Sequence, residues 1–83
     1  MTTVVVTGAN RGLGLALVQQ YTAAGADVIA GCRHPDTAGA LKETKAEVHP
    51  LDMSSEASIA AFAAAVGDRP VNLLINNAGI DAK

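Results

Sequence analysis

A doubly wound α/β layer, with a parallel sheet and helices on both faces, is predicted by three observations. Strand-length apolar runs recur along the chain without the in–out alternation of a one-sided sheet. Helical patterns lie between them, and Gly or Pro punctuates the joins. Together they give the order β-α-β-(α)-β-α-β, which right-handed crossovers wind into three layers, α/β/α.

The first strand is Thr3–Thr7, in which Val4-Val5-Val6 form a continuous apolar run. From Leu13 the spacing becomes helical, with Leu13, Leu17, Tyr21 and Ala24 as the apolar stripe and Gly25 as the stop. Residues 27–31 (DVIAG) form a second short strand. Pro35 and Gly39 make the next stretch a loop, after which residues 40–45 supply one or two helical turns. Residues 46–51 (AEVHPL) are a third strand, and Pro50 places it at an edge or close to its end. Ser54 or Ser55 caps the following helix, with Glu56 in its positive first turn. Ile59, Phe62, Ala63 and Val66 form its apolar face. Gly67 and Pro70 end it, and residues 71–75 (VNLLI) are a fourth strand running into NNAG.

The composition narrows the function. Of 83 residues, 49% are hydrophobic and only 2% aromatic, so Ala, Val, Leu and Ile build the core. The formal charge is −2 with no basic run, so the electrostatic footprint of a nucleic-acid binder is missing. The longest apolar run falls far short of the roughly 20 residues of a membrane helix. The single Cys32 has no partner for an internal disulfide, and the expected location is cytoplasmic. Neither His34 nor His49 has metal-ligand company; both read as surface or strand residues, and no metal is expected.

The glycines of VVVTGANRGLG carry the chemistry. A strand that turns directly into a helix leaves backbone N–H groups pointing outward, and with the helix dipole they form an anion site suited to a pyrophosphate. Gly8 permits the tight turn, Gly12 leaves the main chain open to a phosphate, and Gly14 allows close helix–sheet packing. The position between a buried strand and an amphipathic helix is the context this chemistry needs. Wound as dinucleotide-binding sheets are, the four strands take the order 3-2-1-4.

TGANRGLG resembles the T-G-x-x-x-G-x-G motif of the short-chain dehydrogenase/reductase family, and NNAG at positions 76–79 is similar to that family's second motif. GCR, LDMS and LLINNAGI look most like its sniffer and C-factor branch of carbonyl-reductase-like members. The resemblance runs through the whole chain and implies that residues 1–83 are a Rossmann-type half-domain. It implies further that Gly8, Asn10, Arg11, Gly12, Leu13 and Gly14 cradle the pyrophosphate and adenosine ribose. Asp52 and Met53 would hold the adenine. Asn76, Asn77, Ala78 and Gly79 would line the ribose side, with one Asn bracing the strands.

The residues also discriminate between dinucleotides. An NAD site places Asp or Glu at the end of the second strand, to bond the ribose hydroxyls. This chain has Gly31-Cys32-Arg33 there, and Asp27 lies at the opposite end. An Arg fork holds a 2′-phosphate that a carboxylate would repel. Arg33, with Arg11 as a second cation, therefore favours NADP over NAD.

The family's general acid/base Tyr-x-x-x-Lys pair, and its Ser, lie beyond NNAG. The one tyrosine here, Tyr21, is followed four residues later by Gly25, so its expected role is packing and no catalytic residue is assigned. The expected function is the NADP(H)-binding portion of an oxidoreductase that transfers hydride between carbonyl and alcohol. The alternative is a complete small dinucleotide-binding or self-associating module. An FAD or S-adenosylmethionine site fits NNAG and Arg33 less well. A homodimer through the fourth-strand edge is expected, because nothing in the predicted topology covers that edge.

Overall fold

In a computed structural model of the chain, residues 2–77 are described. The elements are β1 (Thr3–Thr7), α1 (Gly12–Ala23), β2 (Asp27–Cys32), a 3-10 turn (Pro35–Thr37), α2 (Gly39–Lys42), β3 (Glu47–Pro50), α3 (Glu56–Val66) and β4 (Leu73–Asn76). All pairings are parallel, in the order β3-β2-β1-β4, as the sequence predicts. Pro50 ends the edge strand β3, where its missing N–H breaks no inner ladder.

β1 is central, and Val4, Val5 and Val6 are all buried. Its unbroken valine run follows from that position. Val4 and Val6 face the larger core with Val18, Val28, Ala30 and Leu41, beneath α1 and α2. Val5 faces the other way and packs with Ile29, Leu51 and Phe62 beneath α3. Tyr21 packs against the larger core, in keeping with its expected role.

Two helical faces differ from the expected ones. α1 buries Gly14 and Val18, with Leu15 and Tyr21 packed beside them; Leu13 is 60% exposed and Ala24 is exposed. A stripe chosen for large apolar side chains misses Gly14, which is buried because it has none. In α3 only Phe62 is fully buried and Val66 partly, whereas Ile59 and Ala63 are exposed.

The caps follow the sequence closely. Ser55 Oγ accepts from the Ser58 N–H at 3.1 Å at the start of α3. Gly67 closes the helix with φ of 70°, in the left-handed region that favours glycine.

One fastening was not anticipated. Arg69 donates to both carboxylate oxygens of Glu47, at 2.9 and 3.0 Å, and to the carbonyls of Val66 and Ala65 at 2.8 Å. A single guanidinium thus caps the C-terminus of α3 and ties it to β3. His49 Nε2 lies 2.7 Å from Glu47 Oε2. Held by these hydrogen bonds, from Arg69 first and then His49, the Glu47 carboxyl is lowered from 4.5 to about 2.

Candidate functional site

The strands end on one side of the sheet, and three loops leave from there: residues 8–11 after β1, 33–34 after β2 and 51–55 after β3. Together they enclose a cleft of about 670 Å³. Gly8, Asn10 and Arg11 line it from the first loop, Arg33 and His34 from the second, and Asp52, Met53 and Ser54 from the third. Cys32 and Leu51 complete the wall. Ligands bind in this part of an open parallel sheet, outside the carboxyl ends of the strands.

The glycine loop is shaped by backbone constraints. Gly8 and Gly12 have φ of 62° and 59°, so both need the left-handed freedom of glycine. A Cβ on Gly12 would meet nothing within 4 Å, so the space beside the helix start is open. A Cβ on Gly14 would strike the Gly8 carbonyl oxygen and would lie 2.7 Å from Asn77 Nδ2. Gly14 is therefore the residue that lets α1 start against the loop. The Ala9 N–H donates to the Gly31 carbonyl at 3.1 Å and fixes the loop to β2. No side chain caps α1 and no acidic residue stands in its first turn, so its positive end keeps its field.

Gly31 itself escapes a motif search. A Cβ there would approach Leu51 Cδ2 to 2.8 Å and Phe62 Cε1 to 2.9 Å. Glycine at this point lets the third loop and α3 close over the end of β2.

Asp52 is held in place from within its own loop. Its Oδ1 accepts from the Ser54 N–H at 3.0 Å and from Ser54 Oγ at 2.6 Å. Those bonds, the hydroxyl first and then the N–H, hold its carboxyl below the usual range, and the charges of Arg33 and His34 add to them. Cys32 behaves oppositely. Burial pushes its thiol up, the His34 backbone N–H works against that, and the Asp36 charge raises it further. It is a buried thiol on the cleft wall.

The cleft thus gathers Gly8, Asn10, Arg11, Arg33, Asp52 and Met53 of the sequence-predicted residues. Gly12 and Leu13 are exposed at the helix start and Gly14 is buried beneath it; none of these three lines the cleft. Asn76 and Asn77 are engaged in bracing. Thr7 Oγ1 donates to Asn76 Oδ1 at 2.9 Å, and Asn77 Nδ2 donates to the Gly8 carbonyl at 3.0 Å. Ala78 and Gly79 lie outside the described residues. His34 and Ser54 are cleft residues that the sequence did not single out; their signal was proximity to Arg33 and Asp52.

Among the described residues no group of His, Cys, Asp and Glu is arranged to hold a metal ion. Nor is any helix there long and apolar enough to cross a membrane.

A four-stranded parallel sheet in the order 3-2-1-4, with a glycine-rich turn from its central strand into a helix, is one half of a Rossmann-type fold. The chain belongs to the short chain dehydrogenase family, whose model matches residues 2–83. A probable oxidoreductase of Streptomyces lividans is 42% identical over 85 residues, covering 94% of this chain and 28% of that protein. A metagenomic short-chain oxidoreductase solved in complex with NADP is 32% identical with a TM-score of 0.77, over 88% of this chain and 37% of that one. A carbonyl reductase from Pseudomonas aeruginosa PAO1, also solved in complex with NADP, is 26% identical with a TM-score of 0.84, over 92% and 37%. The chain therefore spans between 28% and 37% of the length of these three proteins.

Proposed function

We propose that the cleft binds NADP(H), in preference to NAD(H), and that the chain is the cofactor-holding part of an oxidoreductase interconverting carbonyls and alcohols. One observation carries this reading: Arg11 and Arg33 reach the same cleft from adjoining loops, where a glycine turn leaves a helix start open. The bound nicotinamide would supply or accept the hydride. The residues of this chain bind and orient. The N–H groups around Gly12 and Gly14 meet the pyrophosphate, and the two guanidiniums meet the 2′-phosphate. Asp52, with Oδ1 already fixed by Ser54, presents its other oxygen to the adenine amino group, and Met53 covers the ring. Asn76 and Asn77 hold the loop and β4 together so that this geometry persists.

The carbonyl-reductase-like branch is part of the proposal and is supported by the likeness to the Pseudomonas carbonyl reductase. The site residues, the cytoplasmic location and self-association through β4 are proposed with it.

Titration of the purified chain with NADP⁺ and NAD⁺, before and after Arg33→Asp, tests the reading. The wild type should bind NADP⁺ more tightly. The substitution should reverse the preference, shifting it by about 1.5–3 kcal/mol, the scale of a charge-assisted hydrogen bond. Equal wild-type affinities for the two would overturn the assignment of Arg33.

A further inference from the structure

We infer that His34 is a third, pH-dependent determinant of dinucleotide choice in the cleft, an inference that rests on the dinucleotide reading above. His34 directly follows Arg33, in the loop between β2 and the 3-10 turn, and lines the same cleft as Arg11 and Arg33. Its imidazole is close enough to Asp52, on the facing loop, for its charge to act on that carboxylate. Its backbone is committed on both sides. The N–H bonds to the Cys32 thiol, and the carbonyl accepts from the Thr37 N–H and hydroxyl, each at 3.2 Å. The ring is therefore carried on a fixed stretch of main chain.

The charged and titratable groups around it are few. Arg11 and Arg33 keep their charge at every working pH. Asp52 is held ionised by Ser54, and burial keeps Cys32 a thiol. Asp36 stands two residues on, in the 3-10 turn. Histidine is the side chain whose charge ordinarily changes between about pH 5 and 8. A ligand with a 2′-phosphate gains a third cationic partner as the ring is protonated. A ligand ending there in a hydroxyl gains nothing comparable. His34 therefore acts on the choice between the two ligands, not on binding in general.

The test compares Kd for NADP⁺ and NAD⁺ at about pH 6 and about pH 8, in the wild type and in His34→Gln. The 2′-phosphate titrates in the same range, so the wild type minus the variant is the informative quantity. The wild-type preference for NADP⁺ should exceed the variant's on the order of tenfold at the lower pH, the scale of one charge-assisted bond, and the gap should close at the higher pH. A ratio that moves identically with pH in both proteins overturns the role of His34 and leaves the dinucleotide site standing. Failure of both proteins to bind either nucleotide overturns the dinucleotide reading and this inference with it.

Discussion

Asn77 reaches across 69 residues of chain to donate from Nδ2 to the Gly8 carbonyl at 3.0 Å, and the same amide lies 2.7 Å from where a Cβ on Gly14 would sit. The end of β4, the glycine turn and the start of α1 are thus one packing unit. Gly14→Ala should destabilise the fold by about 1–3 kcal/mol, the usual effect of overpacking. Asn77→Ala should cost about 1 kcal/mol, for one part-buried hydrogen bond. The second change should not rescue the first, because the Gly8 carbonyl is the nearer obstacle and is main chain. Urea unfolding of both single variants and the double variant checks this, and full rescue would place the clash on the amide instead.

Gly12 separates conformation from contact. Its φ of 59° makes any branched residue strained there, although a Cβ would have open space around it. Asn tolerates the left-handed region better than other side chains. Gly12→Asn should therefore cost less than about 1 kcal/mol of stability. Its side chain would still stand at the open helix start and should abolish NADP⁺ binding. A folded variant with unchanged affinity would remove this loop from the phosphate site.

The residues themselves explain which features were legible in the sequence. Val4-Val5-Val6 showed β1 because a strand buried on both faces leaves no polar position. Pro50 showed the edge because a missing N–H is tolerated there. Gly8, Gly12 and Gly14 showed the loop through their spacing. The motif places Gly14 at the helix–sheet contact, but the apolar stripe expected for α1 runs through Leu13 and Ala24, which are exposed, because hydrophobicity gives glycine no weight. Gly31 was hidden for the same reason, inside a strand where β-propensity disfavours it. The Arg69–Glu47 pair joins residues 22 apart, and no local pattern encodes that distance. His34 was visible as a loop residue, but its sharing of a cleft with Asp52 depends on how β2 and β3 align.

Arg69 and Glu47 make stability depend on acidity. Glu47 titrates near 2 in the folded chain against an ordinary 4.5. Above about pH 5 both folded and unfolded states carry the carboxylate, and the stabilisation is complete. As pH falls from about 4.5 toward 2 the unfolded state takes up its proton first, so the contribution is lost. With both side chains more than a third exposed, solvent screening limits the pair to about 1 kcal/mol. Glu47→Gln should lower stability at neutral pH by that amount and flatten the loss between about pH 5 and 2. Chemical unfolding across that range measures it; an unaltered acid profile in the variant would place the pH dependence elsewhere.

β4 is the edge opposite β3 among the described residues, and two of its apolar side chains lie open: Leu74 is 62% exposed and Leu73 38%, with Val71, just before the strand, at 41%. Val5 pairs with Leu74 in register, which puts Leu74 on the α3 face of the sheet, and Leu73 with Ile75 lies on the α1 face. Among the described residues nothing pairs with the outer edge of β4, and a strand so placed with apolar residues on both faces is a template for further pairing. In a solution of this chain the available complement is a second copy, whose β4 can supply both the hydrogen bonds and the apolar cover. The chain should therefore associate as its concentration rises. Leu74→Lys should oppose this by placing a charge on the exposed face of the edge. It should leave the fold intact, because the side chain already stands mostly in solvent. Light scattering over a concentration series, with wild type and variant side by side, is the measurement. Association of the wild type that the lysine abolishes supports pairing through β4. Association that persists unchanged in the variant would move the contact to another surface, and a wild type that remains monomeric into the high micromolar range would show that the exposed edge is self-sufficient.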